Sequence, residues 1–269
     1  MSERFFDGID WSAAWFDTVR DQAQHLISAA DWRIRLNQLA SDRQLHNHRD
    51  LPLQFIPQEE LPEGIAYEAH ISASGKVPTR ENLHDFFNAL VWLTFPAIKR
   101  QLNSLQAQQI AELGIGKSRG PARDAATIFD ENSALLVVEN SAAGDALIQA
   151  LRAHEWSSAF IQQRQAFRQY AEVWSFGHAL MEKLVRPYKA ITAHAWILRV
   201  APAYFVDSPE EKRRYIDRQL AQQLMTHPLT TADYTPLPVL GIPGWWPQQD
   251  AAFYADTSVF RSRRVKIAA

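Results

Sequence analysis

Four polar side chains, Arg80, His84, Asp85 and Asn88, fall within Pro78 to Pro96, a stretch that also holds one of the most apolar runs of the chain. On a helix His84 and Asn88 share one face, with Cβ atoms about 5–6 Å apart. That spacing suits a general base or metal ligand at His84, with Asp85 or Asn88 to orient it or to hold substrate. The plainer reading is a helix N-terminus, where Asp85 favours the macrodipole and His84 bonds nearby backbone. His178 and Glu182 are also one turn apart, as two ligands of one metal or a histidine–carboxylate pair would be. A zinc site needs a third ligand, from His84 or His194. An i,i+4 side-chain bond on a half-buried helix is the preferred reading. No residue is therefore assigned to a metal, and the cofactor stays open.

Two further groups carry candidate binding chemistry. Lys117, Arg119, Arg123 and Asp124 surround Gly114, Gly116 and Gly120, and backbone N–H groups in such a loop, with cations beside them, cradle phosphate or carboxylate. The loop lacks Walker spacing and follows a helix, so neither a nucleotide-phosphate loop nor a dinucleotide fingerprint is expected. A solvated loop is the alternative. In Leu240 to Pro247, Trp245 and Trp246 follow a stiff Pro-Gly turn and suit stacking on a ring, a sugar or a proline-rich partner. A structural strap with buried indoles is preferred there. Ser118 and Ser175 lack a nucleophile elbow, which disfavours an α/β-hydrolase.

The elements that must position these groups read as follows. Residues 10–27 and 30–45 have apolar residues at helical spacing, with Asp10 and Asp31 as caps. Residues 46–64 form a proline-punctuated connection, and residues 65–71 alternate as a strand does. Thr79 caps the His84 helix, which Pro96 ends or kinks, and a second helix runs from Pro96 to about Leu113. Residues 125–129 and 134–138 flank Asp130-Glu131-Asn132-Ser133 as a β-hairpin flanks its turn. Helices are expected from Asn140 or Ser141 to His154, over 156–173 and over 177–187, then a strand over 195–201. Ser208-Pro209-Glu210-Glu211 is a capping box that opens a charged helix to about Met225. Residues 236–260 wrap as an ordered loop, and residues 262–269 form a basic tail.

Composition limits the function classes. The chain has 269 residues and a net charge of −2, so no global field recruits nucleic acid or an anionic membrane. There is no cysteine, which excludes disulfides, thiolate metal sites and cysteine nucleophiles. The longest uncharged apolar run, Ala89 to Ile98, is far shorter than the roughly 20 residues of a membrane helix. No secretory signal is expected at Met1 to Asp7, so the expected location is the cytoplasm. Nine tryptophans and fourteen phenylalanines imply an aromatic-rich core.

Several blocks also carry a family resemblance. They are Pro78-Thr79-Arg80-Glu81-Asn82 with His84-Asp85-Phe86-Phe87-Asn88-Ala89-Leu90, Phe176-Gly177-His178-Ala179-Leu180 with Glu182-Lys183, and Pro238-Val239-Leu240-Gly241-Ile242-Pro243-Gly244-Trp245-Trp246-Pro247. Together with Arg119-Gly120 and Phe129-Asp130-Glu131-Asn132, they resemble an uncharacterised bacterial family, a domain of unknown function, over residues 53–261. The resemblance implies no activity.

The sequence thus predicts one helix-rich α+β domain over 1–269 with a small antiparallel sheet or hairpin. The favoured function is a hydrolase or transferase acting on an anionic small substrate, with His84, Asp85, His178 and Glu182 as catalytic groups. Arg80, Asn88, Arg119, Arg123, Trp245 and Trp246 would bind the substrate. The alternative is a non-enzymatic protein-binding domain that uses the tryptophan segment or the basic 114–124 loop.

Overall fold

The computed structural model describes residues 4–113, 121–227 and 229–263. After a short turn, α1 (Arg20–Ile27) and α2 (Trp32–Asp42) pair, and Asp31 caps α2 as its sequence position suggests. The strand β1 (Gln54–Pro57) precedes α3 (Tyr67–Ser74), and β2 (Lys76–Thr79) follows it. Next come α4 (Leu83–Thr94), α5 (Pro96–Leu113) and α6 (Pro121–Asn132), which leads directly into β3 (Ser133–Glu139). The second half runs α7 (Ala142–Ala153), α8 (Arg164–Tyr170), β4 (Ala171–Ser175), α9 (His178–Leu184) and β5 (Thr192–Val200). It closes with α10 (Pro209–Thr226), β6 (Thr235–Pro238) and the single turn α11 (Ala251–Tyr254).

The α+β class holds, but the strands pair differently from the expected antiparallel sheet. The four-stranded sheet has the order β4-β3-β5-β6 and is mixed: β3 is antiparallel to β4 and parallel to β5. The pair β1-β2 is parallel. Ser133 to Val138 is buried throughout, as a strand covered on both faces must be. Pro236 and Pro238 suit β6 to the sheet edge, where a missing N–H leaves no ladder bond unmade.

Three expected elements are corrected. Of the expected strand over 65–71, residues 67–71 belong to α3, because five alternating positions do not separate the two periods. Gly75 ends α3 at φ 73°, donating its N–H to the carbonyl of Ile71, and a Cβ there would stand 2.3 Å from the Pro52 carbonyl oxygen. The expected hairpin over 125–138 is α6 followed by β3. Ala125, Ala126 and Phe129 face the core at helical spacing, so Asp130 to Asn132 form a last helical turn. Residues 171–173, expected to continue a helix, belong to β4. The N-terminal pair is also shorter than expected, since α1 begins at Arg20. Ser208 forms the full capping box of α10 as expected.

A single aromatic-rich core reaches from Phe6 to Phe260. The Phe86 ring lies 4.9 Å from Phe6 and 5.5 Å from Trp32, which ties α4 to the N-terminal helices. Residues Asp85 to Thr94 are all buried, so α4 is a fixed rod inside the molecule. Its first turn meets the end of α6 and the start of α9, and the candidate site lies at that meeting point.

Candidate functional site

Asn82, not Thr79, caps α4: its side chain accepts the N–H of Asp85 at 2.8 Å, while Thr79 belongs to β2. The cap fixes the first turn, and His84 follows within it. Across from it, Gly177 opens α9. A Cβ on Gly177 would stand 2.5–2.6 Å from backbone atoms of Glu131, Asn132 and Ser133. Only glycine lets the start of α9 lie against the end of α6. That contact brings His178 beside Glu131.

The geometry is close. His84 Nε2 lies 3.1 Å from His178 Nε2, with the rings at 82°. Glu131 Oε2 is 3.6 Å from His178 Nε2 and 4.0 Å from His84 Nε2. Glu182 Oε2 accepts from His84 Nδ1 at 3.0 Å. The expected bond between His178 and Glu182 within α9 is therefore replaced by one from Glu182 to α4. Asp85, the other proposed orienter of His84, instead grips the Arg80 guanidinium through both oxygens at 2.9 and 3.0 Å.

Behind the histidines runs a buried polar chain. Tyr67 Oη meets Asn88 Nδ2 at 3.0 Å, Lys99 donates to Asn88 Oδ1 at 2.8 Å, and Lys99 donates to Asp130 Oδ1 at 2.5 Å. Asn88 is thus a buried link that fixes Lys99. His178 Nδ1, buried without a hydrogen-bond partner, faces Asp130 Oδ1 at 4.0 Å.

Burial pushes the His178 imidazole down to about 3, so it is neutral at ordinary pH. Burial is the largest influence on Asp130 and favours its protonated form, but the adjacent Lys99 ammonium together with His178 and His84 outweighs it and holds that carboxyl below its ordinary value. Burial lifts Glu131 above the usual carboxylate range, against the pull of His84. Tyr67 is raised by burial as well.

These side chains line a cleft of about 420 Å³. Arg80, His84, Asp85, Asn88, Arg123 and His178 all border it, so six of the residues expected from sequence converge. The other expected residues divide as follows. His194 stands on β5 and meets Asn132 Nδ2 at 3.2 Å, away from the cluster. Trp245 borders a separate groove of about 610 Å³ with Trp174 and Arg213. Trp245 and Trp246 are half-buried against the core, less covered than a strap with buried indoles would have them. Lys117 and Arg119 lie outside the described residues.

Sequence reading missed Glu131, Asp130 and Lys99 as site residues. One signal was available: two adjacent carboxylates close α6 at its negative end, where the macrodipole disfavours them and no basic residue compensates within the last turn.

Two imidazoles with four carboxylates at hand define an α+β protein with a histidine–carboxylate centre, equipped for proton transfer or for holding a cation. The family described as "Protein of unknown function (DUF3025)" matches residues 53–264, and the chain belongs to that family. Comparison with curated proteins finds no match, and comparison with solved structures finds none. No helix among the described residues is long and apolar enough to cross a membrane.

Proposed function

We propose that the protein is a cytoplasmic enzyme, a hydrolase or transferase, that acts on an anionic small substrate in the cleft of His84 and His178. The observation that carries this reading is the 3.0 Å contact of Glu182 with His84 Nδ1 at the edge of a polar cleft. A carboxylate there holds the Nδ1 proton and leaves the Nε2 lone pair directed away from it, towards the other imidazole. A nucleophilic oxygen, from water or a substrate hydroxyl, loses its proton to this centre as it bonds to an electrophilic carbon or phosphorus. The proton then passes to the leaving group as the old bond breaks. Arg80, held in a two-point grip by Asp85, and Arg123 supply positive charge at the cleft for an anionic group.

His84 is partly exposed, so its removal tests the chemistry without opening the core. In a screen of anionic esters, amides and phosphoesters, His84→Ala is expected to lower turnover by about 10²–10⁴-fold at an unchanged melting temperature. Full turnover in the variant, or a collapse of its melting temperature, would overturn the assignment.

A further inference from the structure

From the donor atoms that α4, α6 and α9 bring together, we infer that His84 Nε2, His178 Nε2 and a carboxylate oxygen of Glu131 bind one divalent cation of the zinc class. The inference rests on the catalytic reading of the cleft and names a cofactor for that same site; with the cation in place His84 Nε2 is a ligand, and acidification of a cation-bound water would stand in for the imidazole base.

Distance is the first argument. The three atoms form a triangle with sides of 3.1, 3.6 and 4.0 Å. The point equidistant from its corners lies about 2.1 Å from each, and zinc bonds to histidine nitrogen and carboxylate oxygen are about 2.0–2.2 Å long.

Proton placement is the second. His84 Nδ1 faces the Glu182 carboxylate at 3.0 Å, so a neutral His84 carries its proton there and points a lone pair at His178. If His178 keeps its proton on Nδ1, two lone pairs face each other at 3.1 Å. If the proton moves to Nε2, His178 Nδ1 presents a buried lone pair towards the carboxylate oxygen of Asp130 at 4.0 Å, with no donor. A cation, like a proton added to His84 Nε2, satisfies both Nε2 lone pairs, and it leaves His84 Nδ1–H on the Glu182 carboxylate. Carboxylates behind metal-bound imidazoles orient them in just this manner.

The third argument is charge. Lys99 is matched by Asp130 and Arg80 by Asp85, Arg123 and Glu68 also line the cleft, and Glu131 and Glu182 stand beside the two imidazoles. Glu131 also closes α6 at its negative end. A cation between Glu131 and the imidazoles would offset the repulsion of these carboxylates on an anionic group held by Arg80 and Arg123. Two histidines and one glutamate are also a donor set of catalytic zinc sites that keep a position open for water or substrate. Nitrogen donors favour zinc-like ions over magnesium and calcium.

The test uses the full chain, stripped with a chelator and titrated with Zn²⁺ by calorimetry and with Co²⁺ by visible absorption. One equivalent is expected to bind, and Co²⁺ is expected to give the absorption of a low-coordinate nitrogen–oxygen site. Glu182→Gln should weaken Zn²⁺ binding by about 10–100-fold. His84→Ala and Glu131→Gln, both at partly exposed positions, should weaken it further, whereas His194→Ala should leave it unchanged. No stoichiometric binding, or binding indifferent to His84→Ala and Glu131→Gln, overturns the cation. Turnover by chelated protein that His84→Ala abolishes also removes the cation but keeps the enzyme. Stoichiometric Zn²⁺ with no turnover of any anionic substrate keeps the cation and removes the enzyme.

Discussion

Lys99 shows how much of the site depends on one buried charge. Its ammonium lies between Asn88 and Asp130 and over the Trp92 ring at 5.3 Å, with almost no solvent access. Removing one partner of such a pair strands the other charge in a dry interior. Lys99→Met is therefore expected to lower unfolding stability by about 3–5 kcal/mol in denaturant titrations. The double variant Lys99→Met with Asp130→Asn should recover a large part, since no charge is then left unpaired. A single-variant loss no larger than that of the double variant would mean that Asp130 already holds a proton. The same residue was passed over in sequence because a lysine next to Arg100 in a polar, glutamine-rich helix carries no spacing signal, whereas His84 and Glu182 stood out in polar pairs one turn apart.

At the scale of elements, the junction between α6 and α9 decides whether the two histidines meet. Gly177 donates its N–H to the carbonyl of Ser133 at 2.8 Å, and backbone atoms of the α6–β3 turn stand where a Cβ would project. Gly177→Ala must push α9 away from α6, and overpacking of this kind costs about 1–3 kcal/mol. The variant is expected to unfold at lower denaturant and to lose turnover and Zn²⁺ affinity together, because His178 retreats from Glu131. Stability loss with an undisturbed site would show that α9 tilts instead of retreating. The motif containing Gly177 and His178 was legible in the sequence as a unit. Its partner was not, because Asp130 to Ser133 has the residue types of a turn, and only the buried face of Ala125, Ala126 and Phe129 makes it helical.

For the whole molecule, pH should act through Asp217. This residue of α10 accepts the N–H groups of Ala97 and Ile98 at 3.0 and 2.9 Å and thus holds the start of α5 across a helix–helix contact. Burial pushes its carboxyl up to about 6, against 3.8 as its ordinary value, despite those two bonds. The native state therefore binds the proton at a pH where the unfolded chain does not. Asp217's contribution to stability accordingly rises as pH falls from 7 towards 4, by about 3 kcal/mol at most for a shift of this size. Asp217→Asn removes the ionisation, so the stability difference between variant and wild type should change across pH 4 to 7. A constant difference over that range would show that the two backbone bonds already keep the carboxyl at its ordinary value.

By itself the sequence determined the local features: the capping box at Ser208, the cap at Asp31, the helix that carries His84, and the polar pairs one turn apart on two helices. These depend on neighbours within a few residues, and their physics is written in the spacing. Tertiary structure alone decided that Glu182 reaches His84 and not His178, that Asp85 turns to Arg80, and that Glu131 stands beside the two imidazoles while His194 does not. Each of those outcomes joins residues from separate elements. Their meeting is set by how apolar faces pack around one core and by a glycine that lets two backbones touch, and no residue spacing along the chain contains either.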